Sequence, residues 1–579
     1  MISQFLKKAK KLRLVIVLLA IGTYAFLSYS FTDNYFEISK NLDIYSTTLK
    51  ELDLYYVDSI KPGELVKTSI DAMLSTLDPY TDYIPESEIE DYRFMTTGEY
   101  GGIGAIVQRD SSGIEIAEPY ANSPALKAGL IAGDKIVSID GISATGKNTD
   151  DIGKLLKGQA GTTVKLMILE PNSSTPVEKI ITREVIKVGN VPYYGMVSDD
   201  IGYIKLTEFT ENAGANVRSA LMDLKKNHNL KGIVLDLRNN PGGLLNEAVK
   251  VVNIFEPKGQ LVVNTKGRSK DWNHPDLTTG DPVDTTIRIA VVVNGGSASA
   301  SEIVTGTIQD LDRGIIIGTR TFGKGLVQQT HPLSYNSQLK FTIAKYYTPS
   351  GRCIQALDYT HRSADGTVNK VPDSLKMSFR TRHGRVVYDG GGIAPDFNME
   401  TPRLSPATLN LGAQFFIFNY ATLFCTKHSS IAPPDSFSLS DDDYSRFVEY
   451  VKNNGFKYTT KSDQLLKDLK ETTESEKYDA DLKASYEKIE KDLEEAKKND
   501  LMKYKPEISK LLEEEIESRY YFQKGRIQVN LKYDAQVKKS VELLHNTAVY
   551  DSVLTTIVEA KHPFYNSAMK TWPPVSQGK

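Results

Sequence analysis

Between residues 188 and 402 the chain alternates short, unbroken apolar runs with amphipathic stretches. Gly202-Tyr203-Ile204-Lys205-Leu206 precedes an amphipathic segment at 217–224, and Gly232-Ile233-Val234-Leu235-Asp236-Leu237 precedes another at 244–255. Ile287-Arg288-Ile289-Ala290-Val291-Val292-Val293 precedes a third, and Gly314-Ile315-Ile316-Ile317-Gly318 follows it. A run without polar alternation has no face to give to water, so each strand must be covered on both sides. Strands of that kind, spaced by helices, predict a layered α/β domain with a buried sheet.

The rest of the chain has a different texture, and its 579 residues exceed what one hydrophobic core supports. Five segments are expected. Residues 1–32 place Lys7, Lys8, Lys10, Lys11 and Arg13 ahead of an uncharged run from Leu14 to Phe31, long enough to cross a bilayer as a helix. The flanking cations hold the start in the cytoplasm, so the remainder is expected to be exported. Ser28-Tyr29-Ser30 is a mediocre cleavage site, which favours a retained anchor over a removed signal peptide. Residues 33–97 read as helices with an acidic, tyrosine-rich surface, broken at Pro62-Gly63 and Asp78-Pro79. Residues 98–187 carry short β-type runs divided by turn residues, a small β-rich module. The α/β region occupies 188–402, and 403–579 is Lys/Glu-rich and helical. There Leu482, Tyr486, Ile489 and Leu493 form one stripe, expected to pack on a neighbouring helix.

Composition narrows the chemistry. With 70 Lys and Arg against 73 Asp and Glu, no basic excess is available to hold nucleic acid. The eight histidines form no H-E-x-x-H pair, so no metal site is expected. Cys353 and Cys425 can form one bridge or stay as thiols, but not a disulfide framework.

Three segments carry the candidate chemistry. In Asn294-Gly295-Gly296-Ser297-Ala298-Ser299-Ala300-Ser301-Glu302-Ile303 a buried strand runs through two glycines into a helix opened by small residues. Such a turn aims helix N–H groups at one point, suited to developing negative charge, and a serine there can serve as nucleophile. Helix capping explains the serines equally well, and nothing in the segment itself chooses among Ser297, Ser299 and Ser301. Asp236-Leu237-Arg238-Asn239-Asn240-Pro241-Gly242-Gly243 is a second glycine turn after a buried strand, shaped for backbone N–H donation or for a plain connector. In Thr321-Phe322-Gly323-Lys324-Gly325-Leu326-Val327-Gln328 a lysine sits among apolar residues. Desolvation favours its neutral amine, which can take a serine's proton, although a surface turn lysine fits the same pattern. Gln328, four residues on, can hold the amine.

Together these segments resemble the carboxyl-terminal processing (tail-specific) serine protease family. The match runs from Ser297 to Ile303, then Lys324 and Gln328, and includes Leu77-Asp78-Pro79-Tyr80, Thr348-Pro349-Ser350-Gly351-Arg352 and Gly392-Ile393-Ala394-Pro395-Asp396. It covers about residues 33 to 396. The resemblance implies a crotonase-like α/β core, Ser299 as nucleophile, Lys324 as general base and Gln328 as its orienting partner. It also implies an oxyanion hole at Gly242, Gly243 and Ala300, with Gly243 best placed, and no cofactor. The β-rich module looks like the family's PDZ domain: Gly101, Gly102, Ile103 and Gly104 as the carboxylate loop, Ala105 and Ile106 on the peptide-pairing edge, and Ile152, Leu155 and Leu156 lining the groove.

The expected protein is therefore a bacterial envelope-anchored or periplasmic serine endopeptidase, cutting exported proteins that end in unstructured apolar tails. A homodimer is left open. The rival reading is a silent PDZ scaffold that binds tails at the membrane; it is disfavoured because Ser299, Lys324 and Gln328 are all present.

Overall fold

The structure, a computed structural model, describes residues 35–363 and 366–556. It divides into two compact units at Tyr83/Ile84. The expected membrane segment from Leu14 to Phe31 lies outside the described residues. Among those described, no helix is long and apolar enough to cross a membrane.

The first unit holds a helix over residues 35–55 and a second at Pro62–Ser75, opened by proline where its missing N–H costs nothing. Tyr45 and Ser69 share a 2.6 Å hydrogen bond across the pair. The third helix of the expected 33–97 region, Ile89–Thr97, belongs to the second unit. The boundary follows the Asp78-Pro79 turn, where Asp78 Oδ1 accepts the N–H groups of Tyr80 and Thr81.

The expected buried sheet is present, with six strands in the order 193–196, 201–205, 232–236, 288–293, 315–318 and 397–398. The first pair is antiparallel and the rest run parallel. Helices Ala213–Asn227, Leu245–Asn253 and Ala300–Asp310 cover one face, packing Val217, Val251 and Ile303 onto Ile204, Leu235 and Val291. The other face is covered by the far end of the chain. Val537, Leu543, Leu544, Tyr550 and Leu554 bury Tyr203, Val234, Ala290 and Ile317, and the Tyr550 hydroxyl accepts the N–H of Ile289 at 3.0 Å. The 403–579 segment is thus divided: helices Ala535–His545 and Thr547–Thr555 complete the layered domain, which extends past the boundary expected at 402. A smaller antiparallel sheet of strands 326–332, 338–347, 261–267 and 275–277 flanks the main one.

The β-rich module is an antiparallel sheet in the order 105–110, 113–119, 135–139, 163–169 and 177–182, with helix Thr149–Leu156 beside strand 105–110. That strand is an edge, as expected. A helical domain with its own core, including Leu411, Phe447 and Leu512, occupies most of 406–533. It grips the β module: Arg526 Nη2 lies 2.9 Å from Glu118 Oε2, and a Cβ at Gly133 would meet Thr422 Cγ2 at 3.0 Å. Within it, the stripe expected at 482–493 is realised in part. Tyr486 is buried, with its hydroxyl on Thr473, while Leu482 and Ile489 stay exposed. Cys353 and Cys425 are free thiols.

Candidate active site

Strand Arg288–Val293 ends in the glycine turn, and helix Ala300–Asp310 starts at its far side, so Ser297, Ser299 and Ser301 lie at the strand-to-helix junction. The structure separates the three serines. Ser297 Oγ donates to Leu237 O at 2.8 Å and accepts the Asn294 N–H at 3.0 Å. Ser301 Oγ donates to Asn240 O at 2.9 Å. Both are 0% exposed, their protons committed to carbonyls. Ser299 alone of the three reaches the surface. Its backbone is at φ 54°, ψ −114°, a sparsely populated region for a side chain with a Cβ, of the kind found at nucleophile turns.

The turn after strand Gly232–Asp236 folds against Ser299. A Cβ on Gly242, where φ is +104°, would sit 2.8 Å from Ser299 Cβ and 2.9 Å from Ala300 N. Only glycine allows that approach. The three oxyanion candidates have different duties. Gly242 N–H is spent on Asn240 Oδ1 at 2.9 Å, so Gly242 is a spacer rather than a donor. The N–H groups of Gly243 and Ala300 have no acceptor among the described residues, and they flank Ser299.

The backbones of Lys324 and Ser299 are brought together by Glu302, a residue outside the expected catalytic set. Glu302 is 0% exposed, and its Oε2 accepts the N–H of Ser299 at 2.9 Å and of Lys324 at 2.8 Å. Its Oε1 accepts Thr321 Oγ1 at 2.6 Å and Gly323 N–H at 2.8 Å. Burial pushes this carboxyl up to about 7, against the pull of those four donors. Tyr346, also buried, places its hydroxyl against the carbonyls of both Ser299 and Lys324. Gln328 lies on the strand that follows Lys324, and its Nε2 donates to Thr342 Oγ1 at 3.2 Å on the next strand. Glu302 stands within the quoted serine motif, so its place was visible. Tyr346 gives no local signal, because only tertiary folding returns its strand to the turn. The other motif stretches support this loop: Ile393 N–H donates to Thr321 Oγ1 at 2.7 Å, and buried Arg352 pairs with Asp310 at 2.7 Å.

In the β module the N–H groups of Ile103 and Gly104, both buried residues, have no acceptor among the described residues. Ala105 and the exposed Ile106 lie on the edge strand. Ile152 and Leu156 are in the module core, 0% and 5% exposed. Packing therefore removes both from the groove, and Leu155, half-buried, is the one of the three with free surface. Gly102 is buried and Gly101 is engaged by the Gly158 N–H. No group of three or more His, Cys, Asp or Glu side chains that could hold a metal occurs among the described residues.

This arrangement and the comparisons define a serine peptidase with a PDZ module. Residues 200–361 match peptidase family S41, residues 115–170 match the PDZ domain, and residues 407–544 match the C-terminal helical domain of probable PDZ-proteases. The chain is 40% identical over 333 residues to a carboxy-terminal-processing protease of Bartonella bacilliformis, covering 57% of this chain and 76% of that one. It is 30% identical over 468 residues to a probable CtpA-like serine protease of Staphylococcus saprophyticus, covering 79% and 90%. Among solved structures, the photosystem II D1 C-terminal processing protease matches at 27% identity and a TM-score of 0.34, covering 62% and 92%. The chain belongs to the carboxy-terminal-processing protease family of serine peptidases.

Proposed function

We propose that the protein is an endopeptidase with a Ser299/Lys324 dyad, cutting exported proteins that its PDZ module captures by their C-terminal tails. The observation that carries this reading is the segregation of the serines: Ser297 and Ser301 are sealed on carbonyls, while Ser299 faces outward beside two unspent N–H groups. Ser299 Oγ attacks the scissile carbonyl as its proton passes to the neutral amine of Lys324, which Gln328 orients. The tetrahedral oxyanion is received by the N–H groups of Gly243 and Ala300. The lysine then protonates the leaving amine, and water, activated by the same base, releases the acyl group. The unpaired edge at Ala105 and Ile106 offers a tail its backbone partners, and the N–H groups of Ile103 and Gly104 offer its carboxylate an anion site. The apolar run from Leu14 to Phe31, with cations before it, supports tethering in a bacterial envelope with the catalytic part outside.

The test uses the full chain and a reporter with an unstructured apolar tail. Ser299→Ala should abolish cleavage, and Lys324→Arg should do the same, because a guanidinium stays protonated in a protein. Wild-type activity should rise with pH as the lysine deprotonates. Turnover by Lys324→Arg comparable to wild type would refute the dyad.

A further inference from the structure

The turn that carries Gly242 and Gly243 is secured by a residue at its root, and that residue is held from the far end of the chain. Arg238 donates Nε to both oxygens of Asp236, at 3.0 and 3.1 Å, and Nη2 to Oδ2 at 2.5 Å. Its outer edge is taken by the C-terminal helical segment. Nη1 donates to Gln536 Oε1 at 3.0 Å, and Nη2 lies 2.7 Å from Asp534 Oδ2. Asp236 and Gln536 are buried, and the Arg238 and Asp534 side chains are only 17% and 14% exposed. Each holding residue is fixed in turn. Gln536 Nε2 donates to Met399 O at 2.6 Å, and Asp534 Oδ1 caps helix Ala535–His545 by accepting the N–H groups of Gln536 and Val537.

We propose that Asp534 and Gln536 are positioning residues for proteolysis: they fix Arg238, and through it the oxyanion turn. The segment from Arg238 to Gly243 has no repeating hydrogen-bond pattern, and it passes through φ 58° at Asn239, 104° at Gly242 and 139° at Gly243. Its shape therefore rests on tethers. Asn239 N–H is held by Asn294, and Asn240 by Leu206 O at 3.0 Å. Arg238 is the tether at the root, where a planar guanidinium held on two edges cannot rotate. Exposed ion pairs carry little energy, but this one is largely shielded from water. Neutralising Asp534 leaves Arg238 paired with Asp236, which it shares with Lys205 at 3.1 Å, so the variant's melting temperature is measured beside its kinetics. What is lost is the fixed direction of the guanidinium, and an ångström of drift in an oxyanion donor costs turnover rather than folding.

The inference rests on Gly243 and Ala300 serving as the oxyanion hole. The experiment uses full-length Asp534→Asn, which keeps a capping oxygen, and Gln536→Leu, which removes the acceptor at similar volume. Both are assayed on a short unstructured peptide that does not need the PDZ module, and by the rate of fluorophosphonate labelling. Each variant should lose about tenfold or more in kcat with KM within about twofold, and labelling should slow in parallel. Asp534→Glu should recover part of the loss. Tyr550→Phe, which loosens the same helical layer at Ile289 away from the turn, should keep wild-type kcat. Folded Asp534→Asn and Gln536→Leu proteins with wild-type kcat would overturn the proposal, as would an equal loss in Tyr550→Phe. If Asp534→Asn does not fold, Gln536→Leu decides alone. Full activity in a Ser299→Ala control would instead show that the dyad reading itself has failed.

Discussion

Ser299 occupies a backbone conformation that costs on the order of 1–3 kcal/mol for a residue with a Cβ, and the cost is met by neighbours that admit no other arrangement. Glu302 draws the Ser299 N–H inward at 2.9 Å, and Gly242 fills the space beneath its Cβ. Gly242→Ala should break this fit twice, since a methyl at φ +104° is strained and would also lie 2.7 Å from Ala298 O. Displacing the turn moves the Gly243 N–H, so kcat should fall about a hundredfold or more, while binding of a tail peptide to the full-length variant stays at wild type. Activity within a few-fold of wild type in steady-state assays would contradict the close packing. The residues offered three serines, a lysine and two glycine turns as separate candidates, and the family resemblance joined them and singled out Ser299. The residues alone could not divide the serines by physics, because the deciding contacts come from Leu237 O and Asn240 O on a separate strand connection. The resemblance placed Gly243 ahead of Gly242, and the physical reason lies in tertiary structure, where the Asn240 side chain takes the Gly242 N–H at 2.9 Å.

At the scale of elements, the charged C-terminal region held the least legible structure. Its Lys/Glu-rich pattern reads as a solvated surface, yet Glu513 and Glu517 are 2% and 0% exposed. The reason is a break at Phe522, with φ 54° and ψ −155° inside Lys505–Tyr533. The two arms fold back on each other, so that Gly525 lies against the carboxylate of Glu517 and Tyr533 reaches Glu513 at 2.8 Å. A single residue reversing a helix leaves no periodic trace. Neither oxygen of Glu517 has a hydrogen-bond partner among the described residues. Burial pushes its carboxyl up to about 7, with Glu513 and Asp435 adding to the shift and Lys532 opposing it. A carboxyl whose folded pKa is raised binds its proton more tightly when folded. Stability is therefore greatest below the ordinary value near 4.5, falls as pH rises towards 7, and levels off above it. Glu302 and Asp134, raised to about 7 and about 6, act in the same direction, so only a difference between proteins isolates Glu517. Glu517→Gln should melt close to wild type near pH 4.5 and progressively above it from there to pH 8. Parallel melting curves across that range would count against a strained buried carboxyl.

On the scale of the whole molecule, strand runs without a polar face required two covering layers, and only one could be assigned from the order of segments. The three helices that alternate with the strands cover one face. The second cover comes from residues beyond 534, across an intervening helical domain, a separation no local pattern encodes. Val537, Leu543, Leu544, Tyr550 and Leu554 are each at most 8% exposed on that face. At about 1.5–3 kcal/mol per large buried side chain, removing five sacrifices on the order of 10 kcal/mol, before counting the strand residues left bare. The net stability of a folded protein is about 5–15 kcal/mol. A chain ending at Tyr533 should therefore fail to give folded protease, even though every candidate catalytic residue remains. The helical pair Lys461–Ser475 and Asp479–Lys497 offers the opposite case. Its buried contacts, such as Tyr486 on Thr473, are made within the pair. Replacing residues 461–498 by a short glycine-serine linker should leave melting temperature and peptide cleavage near wild type. A soluble, cooperatively melting and active protein ending at Tyr533 would show that the sheet does not need its second cover.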